Sequence, residues 1–245
     1  MQRPLTTSSL SPLLQSLLHQ EVKSLRRILV RGVNWLGDAV MTTPALMRLR
    51  ETCPKAEITL LTHAKLADLY RSHPAINHLI TFQEEDGIGS VAQNLRSGNF
   101  ELAVVLPNSP RSALEVLVAR IRRRIGYAGS WRRVFLTAAL PRRTGSVDMH
   151  KPSVADIQRL QRENRPGKPI PESAHQIYHY LNLMAALGCN PEPLAPVVMV
   201  PPEAINQFRN KFGLNSQEGK TVRWLGLNPG AEYGPAKRWP GERFV

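Results

Sequence analysis

A single carboxylate, Asp38, stands where a predicted strand turns into a predicted helix. The stretch RILVRGVNWLGDAVMTTPALMRLR covers residues 27–50, and its apolar start at 28–30 is typical of a buried strand. Its second half places apolar side chains at helical spacing. Asp38 therefore either caps the helix or faces a ligand crevice, where a carboxylate could take a proton from a reacting hydroxyl group. Met41 occupies the position that would complete a capping box, which slightly favours the chemical role.

Polar residues that follow two predicted strands indicate a ligand site at one edge of a sheet. In an open parallel sheet, ligands bind beyond the carboxyl ends of the strands. The segments NWLGD (34–38) and LPNSPRS (106–112) each follow one strand. Gly37 is predicted to let the backbone turn closely there. GVNWLG does not match the dinucleotide-binding pattern GxGxxG, so that site is not expected.

Strands and helices alternate from residue 27 onwards. The sequence predicts strands at 27–32, 56–63, 76–82, 100–108 and 123–129, and helices at 38–52, 65–73, 89–98 and 112–123. This alternation predicts an α/β fold, a doubly wound parallel sheet with right-handed helical crossovers.

We predict three regions in the chain. Residues 1–26 form an extension whose leucines repeat at helical spacing, which indicates an amphipathic helix that packs on its own domain or stays loosely ordered. Residues 27–200 form one Rossmann-like domain, with a long loop at 141–172 and a helix at 173–188 that Ser173 caps. Residues 201–245 then start a second α/β domain, with a short helix at 204–213 and a strand near 222–228.

Composition limits the classes of protein to consider. The 245 residues are 42% hydrophobic, with two cysteines and no apolar run that approaches the roughly 20 residues of a membrane span. We therefore expect a cytoplasmic protein without a disulfide framework. The formal charge is +13, from 32 Lys+Arg against 19 Asp+Glu, and Arg111 to Arg143 is rich in arginine. This stretch fits a solvated basic face or a patch that binds polyanions.

Four segments in order resemble one known family. They are ILVRGVNWLGDAVMTTPALMRLR, VVLPNSPRSAL, RRIGYAG and NPGAEYGPAKRWP. Together they resemble the bacterial ADP-heptose:lipopolysaccharide heptosyltransferases of glycosyltransferase family 9, and within it the heptosyltransferase II branch. The resemblance runs from about residue 27 to residue 245.

The resemblance implies a GT-B fold, in which two Rossmann-like domains face each other across a cleft. It implies inverting transfer of L-glycero-D-manno-heptose from ADP-heptose to a heptose of the lipopolysaccharide inner core. The domain at 27–200 would bind the acceptor, and 201–245 would be a truncated start of the donor domain. No cofactor or metal is expected, since ADP-L-glycero-D-manno-heptose is a substrate. A peripheral contact with the inner face of the cytoplasmic membrane is left open.

The resemblance also assigns roles to individual residues. Asp38 would be the general base, and the donor phosphates would lie near Gly230, Lys237 and Arg238. The candidates for acceptor binding are Asn34, Asn108, Ser109, Arg120 and Arg123, the two arginines for the charged groups of the acceptor. No spacing of His, Cys or Asp indicates a metal site.

Two other functions compete with the enzyme. The family has a later donor segment, Asp-Ser-Gly followed by His, which the 245 residues lack. We therefore expect this fragment to be inactive alone, and its alternative function is to bind anionic lipopolysaccharide core without catalysis. Nucleic-acid binding would rest on charge alone, without a recognition motif, so we predict no nucleic-acid partner.

Overall fold

The computed structural model describes residues 22–129, 131–143, 146, 153–163, 171–214, 225–228, 230 and 238–243. The chain divides into two compact units, Met1–Met199 and Val200–Val245. Which of them binds acceptor or donor stays a prediction.

The first unit is built on a six-stranded parallel sheet. Its strands are β1 (Arg27–Arg31), β2 (Glu57–His63), β3 (His78–Phe82), β4 (Leu102–Val105), β5 (Arg123–Tyr127) and β6 (Ala138–Leu140). Their order is β3-β2-β1-β4-β5-β6, and every neighbouring pair is parallel. The predicted doubly wound α/β fold class is thereby confirmed, and the strand order reverses direction between β1 and β4.

The described part of the first unit contains several helices. They are α1 (Leu36–Thr52), α2 (Ala67–Tyr70), α3 (Ile88–Arg96), α4 (Pro110–Val118), α5 (Val154–Glu163) and α6 (Ile177–Ala185), and the second unit contains α7 (Pro202–Lys211). Single 3₁₀ turns lie at Ala64–Leu66, Arg132–Phe135, Glu172–Ala174 and Gly241–Arg243.

Alternation along β1 divides the core between the two faces. Ile28 and Val30 join the cluster that contains Leu46 of α1 and Leu183 of α6, whereas Leu29 joins the cluster on the α3 and α4 face. Successive strand side chains point to opposite faces, so one buried strand stabilises both layers. This packing fixes where β1 ends and α1 begins.

Several predicted elements differ from those observed. Strand β6 was not predicted, because three residues that include two alanines carry little strand propensity. A ten-residue helix, α5, lies inside the predicted loop 141–172. Gln176, not Ser173, precedes α6, and no side chain caps that helix. The described residues 225–228 are not in a strand, contrary to the prediction for 222–228.

The amphipathic extension lies mostly outside the described residues. Of its apolar positions, Val22 and Leu25 are described, and both are buried in the core of the first unit. The thiol of Cys53 on the end of α1 contacts the carbonyl oxygen of Val22 at 3.3 Å. At these two residues the extension packs on its own domain.

A buried histidine predicts loss of stability in mild acid. The Nδ1 atom of His73 accepts a hydrogen bond from the N–H of Ala75, and Nε2 has no partner among the described residues. Burial lowers the pKa of His73 from 6.5 to about 4. Between these values the unfolded chain binds the proton and the folded chain does not, so stability falls as the pH drops from 6.5 towards 4.

We expect His73 to account for up to about 3 kcal/mol of this loss. Urea unfolding of the wild type and of His73→Gln across this pH range measures it, and the variant should lose less stability on acidification. The exposed His78→Gln is the control and should follow the wild type. Equal pH dependence in the wild type and His73→Gln would contradict the assignment.

Candidate active site

An open pocket of about 310 Å³ lies beyond the carboxyl ends of β1 and β4. Its lining consists of Val33, Asn34, Trp35, Asp38, Leu106, Pro107, Asn108, Ser109, Gln176, His179 and Tyr180. The structure therefore brings together four of the predicted site residues, namely Asp38, Asn34, Asn108 and Ser109. They meet because β1 and β4 are neighbours and both segments leave the sheet at the same edge.

The carboxylate of Asp38 does not cap its helix. Helix α1 begins at Leu36, and the preceding Trp35 occupies the cap position without a side-chain hydrogen bond. Asp38 is thus the third residue of the helix, half-buried, and its carboxylate makes no hydrogen bond or ion pair within the part of the chain that the structure describes. The capping alternative is not what the structure shows.

Burial raises the pKa of Asp38 above its usual value of 3.8. The helix amino terminus alone would lower this pKa, as would be expected from the sequence. The pKa of Asp38 is raised instead, because removing the carboxylate from water disfavours its charged form. A carboxylate with a raised pKa is a better proton acceptor for a hydroxyl group.

Two buried arginines hold the pocket's asparagines. Arg31 donates from Nη1 to Oδ1 of Asn34 at 2.8 Å and from Nε to Oε2 of Glu115 at 3.0 Å. Arg132 donates to Oδ1 of Asn108 at 3.2 Å. Both arginine side chains are almost fully buried, whereas the asparagines are exposed, so the bond from Arg31 to Glu115 is shielded from water and the two bonds to the asparagines are partly buried.

Ser109 has a structural role at the rim of the pocket. It is the N-cap of α4, and its hydroxyl oxygen accepts a hydrogen bond from the N–H of Ser112 at 3.2 Å. The same hydroxyl donates to Oγ of Ser112 at 3.1 Å. The cap fixes the direction in which the loop after β4 enters the helix.

Helix α6 and the turn before it supply a wall that the sequence analysis missed. The ring of His179 stacks on Tyr127 with centroids 4.0 Å apart, and the Tyr127 hydroxyl donates to the carbonyl oxygen of His179 at 2.7 Å. Burial, reinforced by nearby arginines, lowers the pKa of His179 to about 4, so its ring is neutral near neutral pH. Burial also raises the pKa of the neighbouring Tyr180 hydroxyl. The run HQIYHY at 175–180, rich in histidine and tyrosine, was the signal in the sequence that could have indicated this wall.

A second pocket of about 280 Å³ shares three residues with the first. The shared residues are Asn34, Trp35 and Ser109. The remaining lining consists of Arg31, His63, Lys65, Phe82, Glu84 and Arg111. The ammonium group of Lys65 lies 5.6 Å from the centre of the Trp35 ring. Arg31 and Arg111 both pair with the buried carboxylate of Glu115, so Lys65 is the lining cation outside that ion pair, and the positive charge that it offers an anionic ligand is small.

The structure separates Arg120 and Arg123 from this site. They line another pocket, of about 560 Å³, together with Leu25 before β1 and Glu101 before β4. Arg123 is the first residue of β5, so this pocket lies at the amino ends of the parallel strands, at the edge opposite Asn108. Their assignment to the same acceptor site as Asp38 therefore does not fit the geometry.

The predicted donor residues belong to the second unit. The N–H of Gly230 donates to Oδ1 of Asn228 at 3.3 Å, and Arg238 is exposed just before the turn Gly241–Arg243. Lys237 lies outside the described residues. Their role at the donor phosphates stays a prediction.

The described part of the chain contains neither a cluster of metal ligands nor a membrane-spanning helix. Within it, no three side chains of His, Cys, Asp or Glu are grouped closely enough to hold a metal ion. Among the same residues, no helix combines the length and apolar character that crossing a bilayer requires.

Comparison with known proteins agrees with this α/β site. The family model for Glycosyltransferase family 9 (heptosyltransferase) matches residues 88–245. The chain belongs to this family. It is 28% identical over 227 residues to lipooligosaccharide heptosyltransferase 2 of Haemophilus ducreyi and 28% identical over 226 residues to lipopolysaccharide heptosyltransferase 2 of Escherichia coli strain K12. Each comparison covers 89% of this chain.

Solved structures show the same fold. The structure of E. coli ADP-heptose LPS heptosyltransferase II matches with a TM-score of 0.63 and 28% identity, over 87% of this chain and 57% of that one. The family 9 glycosyltransferase of Veillonella parvula, at 24% identity, matches with a TM-score of 0.67 over 89% of this chain and 58% of that one. These matches confirm the α/β fold class, and the chain corresponds to part of a GT-B glycosyltransferase. The chain spans 58% of the length of the two curated relatives.

Gly37, the residue before Asp38, is a position where alanine should stabilise the fold. A Cβ atom built on Gly37 would meet no atom within 4 Å, and Gly37 lies inside α1, so the close turn expected from the sequence is not needed. Gly37→Ala should raise the free energy of unfolding by roughly 0.5–1 kcal/mol. The matched control is Gly89→Ala in α3, where an added Cβ atom would also meet no atom within 4 Å, and it should raise the free energy of unfolding by a similar amount. A stability loss confined to Gly37→Ala in chemical denaturation would contradict this expectation.

Proposed function

We propose that this chain supplies the acceptor-binding side of an inverting heptosyltransferase, which transfers L-glycero-D-manno-heptose from ADP-heptose to a heptose of the lipopolysaccharide inner core. The observation that carries the proposal is the carboxylate of Asp38, which lines a sugar-sized pocket without a protein partner in the described residues. Family membership supplies the reaction class.

Asp38 acts as the general base in this proposal. The acceptor hydroxyl oxygen attacks the anomeric carbon of the donor, and the bond from that carbon to the diphosphate oxygen breaks. The hydroxyl proton passes to the Asp38 carboxylate, and ADP leaves with the bonding electrons. Direct displacement inverts the configuration at the anomeric carbon, so a single carboxylate in contact with the acceptor suffices.

The acceptor's charge fits the second pocket. Inner-core lipopolysaccharide carries carboxylates and phosphates, and the pocket that contains Lys65 and the partly exposed Arg111 adjoins the Asp38 pocket. Anionic groups on the acceptor bind there while the reacting hydroxyl lies at Asp38. Cytoplasmic location, with peripheral contact at the inner membrane face, belongs to the same proposal.

The donor side completes the proposal. Leaving ADP accumulates negative charge, which Lys237 and Arg238 would stabilise, and Gly230 would let the backbone approach the diphosphate. These roles rest on the family motif GPAKRWP and its neighbourhood.

Titration of a mono-heptosylated inner-core oligosaccharide into the chain tests acceptor binding. Transfer from ADP-heptose is then assayed with the longest open reading frame that contains the chain. Saturable binding and heptose transfer are expected. Saturable binding without transfer would favour the second candidate, a non-catalytic protein that binds lipopolysaccharide core, because every residue of the pocket lies in the first unit. Absence of binding would contradict both candidates.

A further inference from the structure

Two buried arginines lie beneath the rim of the Asp38 pocket. Arg31 is 2% exposed at the end of β1, and Arg132 is 1% exposed at the start of its 3₁₀ turn. Each donates an N–H to the amide oxygen of one pocket asparagine, Asn34 at 2.8 Å and Asn108 at 3.2 Å. The two asparagines are 74 positions apart in sequence, yet each has the same kind of partner.

Arginine dictates which end of each amide faces it. A guanidinium group has only donors, so the amide atom that it contacts must be the acceptor oxygen. The NH₂ group of each asparagine then points away from its arginine. Among the described residues the NH₂ group of Asn34 has no protein acceptor, whereas Nδ2 of Asn108 donates one N–H to Nε2 of His179 at 3.5 Å and keeps a second N–H. Both asparagines line the pocket, so their donors are available to a ligand there.

The first arginine is itself held rigidly. Arg31 donates to the carboxylate of Glu115 at 3.0 Å and to the carbonyl oxygen of Gly32 at 2.6 Å. Its guanidinium group also lies 4.4 Å from the centre of the Phe82 ring. A planar group fixed on several sides has little freedom to release the amide of Asn34.

The second arginine occupies space that a glycine leaves open. Arg132 donates to the carbonyl oxygen of Pro107, next to Asn108. A Cβ atom on Gly126 of β5 would lie 2.7 Å from Nη2 of Arg132, so only glycine leaves room for this guanidinium group. The arginine therefore supports the loop after β4 from below.

We propose that Arg31 and Arg132 are positioning residues, which lock the amides of Asn34 and Asn108 so that their N–H donors face the sugar bound at Asp38. A sugar hydroxyl can then accept a hydrogen bond from an amide and donate its own proton to the carboxylate. This selects a polyhydroxylated acceptor and orients its hydroxyl groups for proton transfer. The identity of the sugar rests on the proposed function. The fixed orientation of the two asparagine amides does not depend on it.

Side-chain ¹⁵N relaxation of the asparagine NH₂ groups tests the locking in the free chain. The NH₂ groups of Asn34 and Asn108 should be as rigid as the backbone, whereas that of the exposed Asn94 should be mobile. Mobile NH₂ groups on both pocket asparagines would overturn the inference, whether or not the chain binds a sugar.

Gly126→Ala tests the second arginine without touching the pocket. The added methyl group should displace Arg132 and mobilise the NH₂ group of Asn108, while that of Asn34 stays rigid. A rigid Asn108 in the folded variant would count against the role of Arg132. If this variant does not fold, the relaxation of the Asn108 NH₂ group in the wild type decides whether this amide is locked.

Asn34→Asp keeps an acceptor oxygen for Arg31 but removes the N–H donors. The variant should keep the wild-type melting temperature and bind the mono-heptosylated oligosaccharide about tenfold or more weakly, even at high salt, where charge repulsion is screened. Asn190→Asp makes the same chemical change outside the pocket, where Oδ1 accepts from the N–H of Glu192, and should bind normally. Unchanged affinity in Asn34→Asp would overturn the inference. No binding by the wild type would instead reject the proposed function and leave the relaxation result to decide the locking.

Discussion

Asp38→Asn is expected to lower the rate of heptose transfer by roughly 10²–10⁴-fold. The amide has the shape of the carboxylate but cannot accept the hydroxyl proton. Because the carboxylate makes no hydrogen bond or ion pair in the described residues, the melting temperature should not fall. Transfer from ADP-heptose to the mono-heptosylated oligosaccharide, measured with the longest reading frame that contains the chain, gives the effect.

Two controls make this prediction specific. Asp68→Asn removes an exposed carboxylate that pairs with Arg71 and should leave the transfer rate unchanged. In the wild type, the rate should fall on acidification through the pKa of Asp38, which burial raises. A transfer rate in Asp38→Asn within a few-fold of the wild type would exclude Asp38 as the base.

Glu115→Ala is expected to lower the free energy of unfolding by about 3–5 kcal/mol. Its carboxylate is fully buried and accepts from Arg31 at 3.0 Å and from Arg111 at 3.0 Å. Removing it would leave the charge of Arg31 buried and uncompensated. Chemical denaturation at neutral pH measures the loss.

The matched control is another glutamate on a helix. Glu51 pairs with Arg48 at 2.8 Å, but its side chain is 47% exposed. Glu51→Ala should cost no more than about 1 kcal/mol, because water screens exposed pairs. Equal losses in Glu51→Ala and Glu115→Ala would show that Arg31 does not depend on Glu115.

Local pattern was sufficient to predict five of the six strands and part of the pocket. Strand-then-helix alternation predicts parallel strands, which places the polar residues after β1 and β4 at the same edge of the sheet. Their direct contact depends on β1 and β4 being neighbours, which the structure shows. Asp38, Asn34 and Asn108 could therefore be predicted from the rule that ligands bind at the carboxyl ends of strands.

The rest of the pocket depends on contacts that the sequence does not display. His179 and Tyr180 reach the pocket because α6 packs on α1, from more than a hundred residues away. Arg132 belongs to a residue type that is mostly exposed, so its burial against Gly126 could not be predicted. Charge alone also misplaced Arg120, because it does not tell which end of a strand a residue occupies.

A crystal structure of the chain with the mono-heptosylated oligosaccharide tests the central claim most directly. The distance to measure joins the Asp38 carboxylate oxygen to the nearest hydroxyl oxygen of the acceptor heptose. The proposed mechanism predicts about 2.6–3.2 Å, with the sugar also in contact with Asn34 and Asn108. An acceptor bound at the amino ends of the strands, beside Arg120 and away from Asp38, would contradict it.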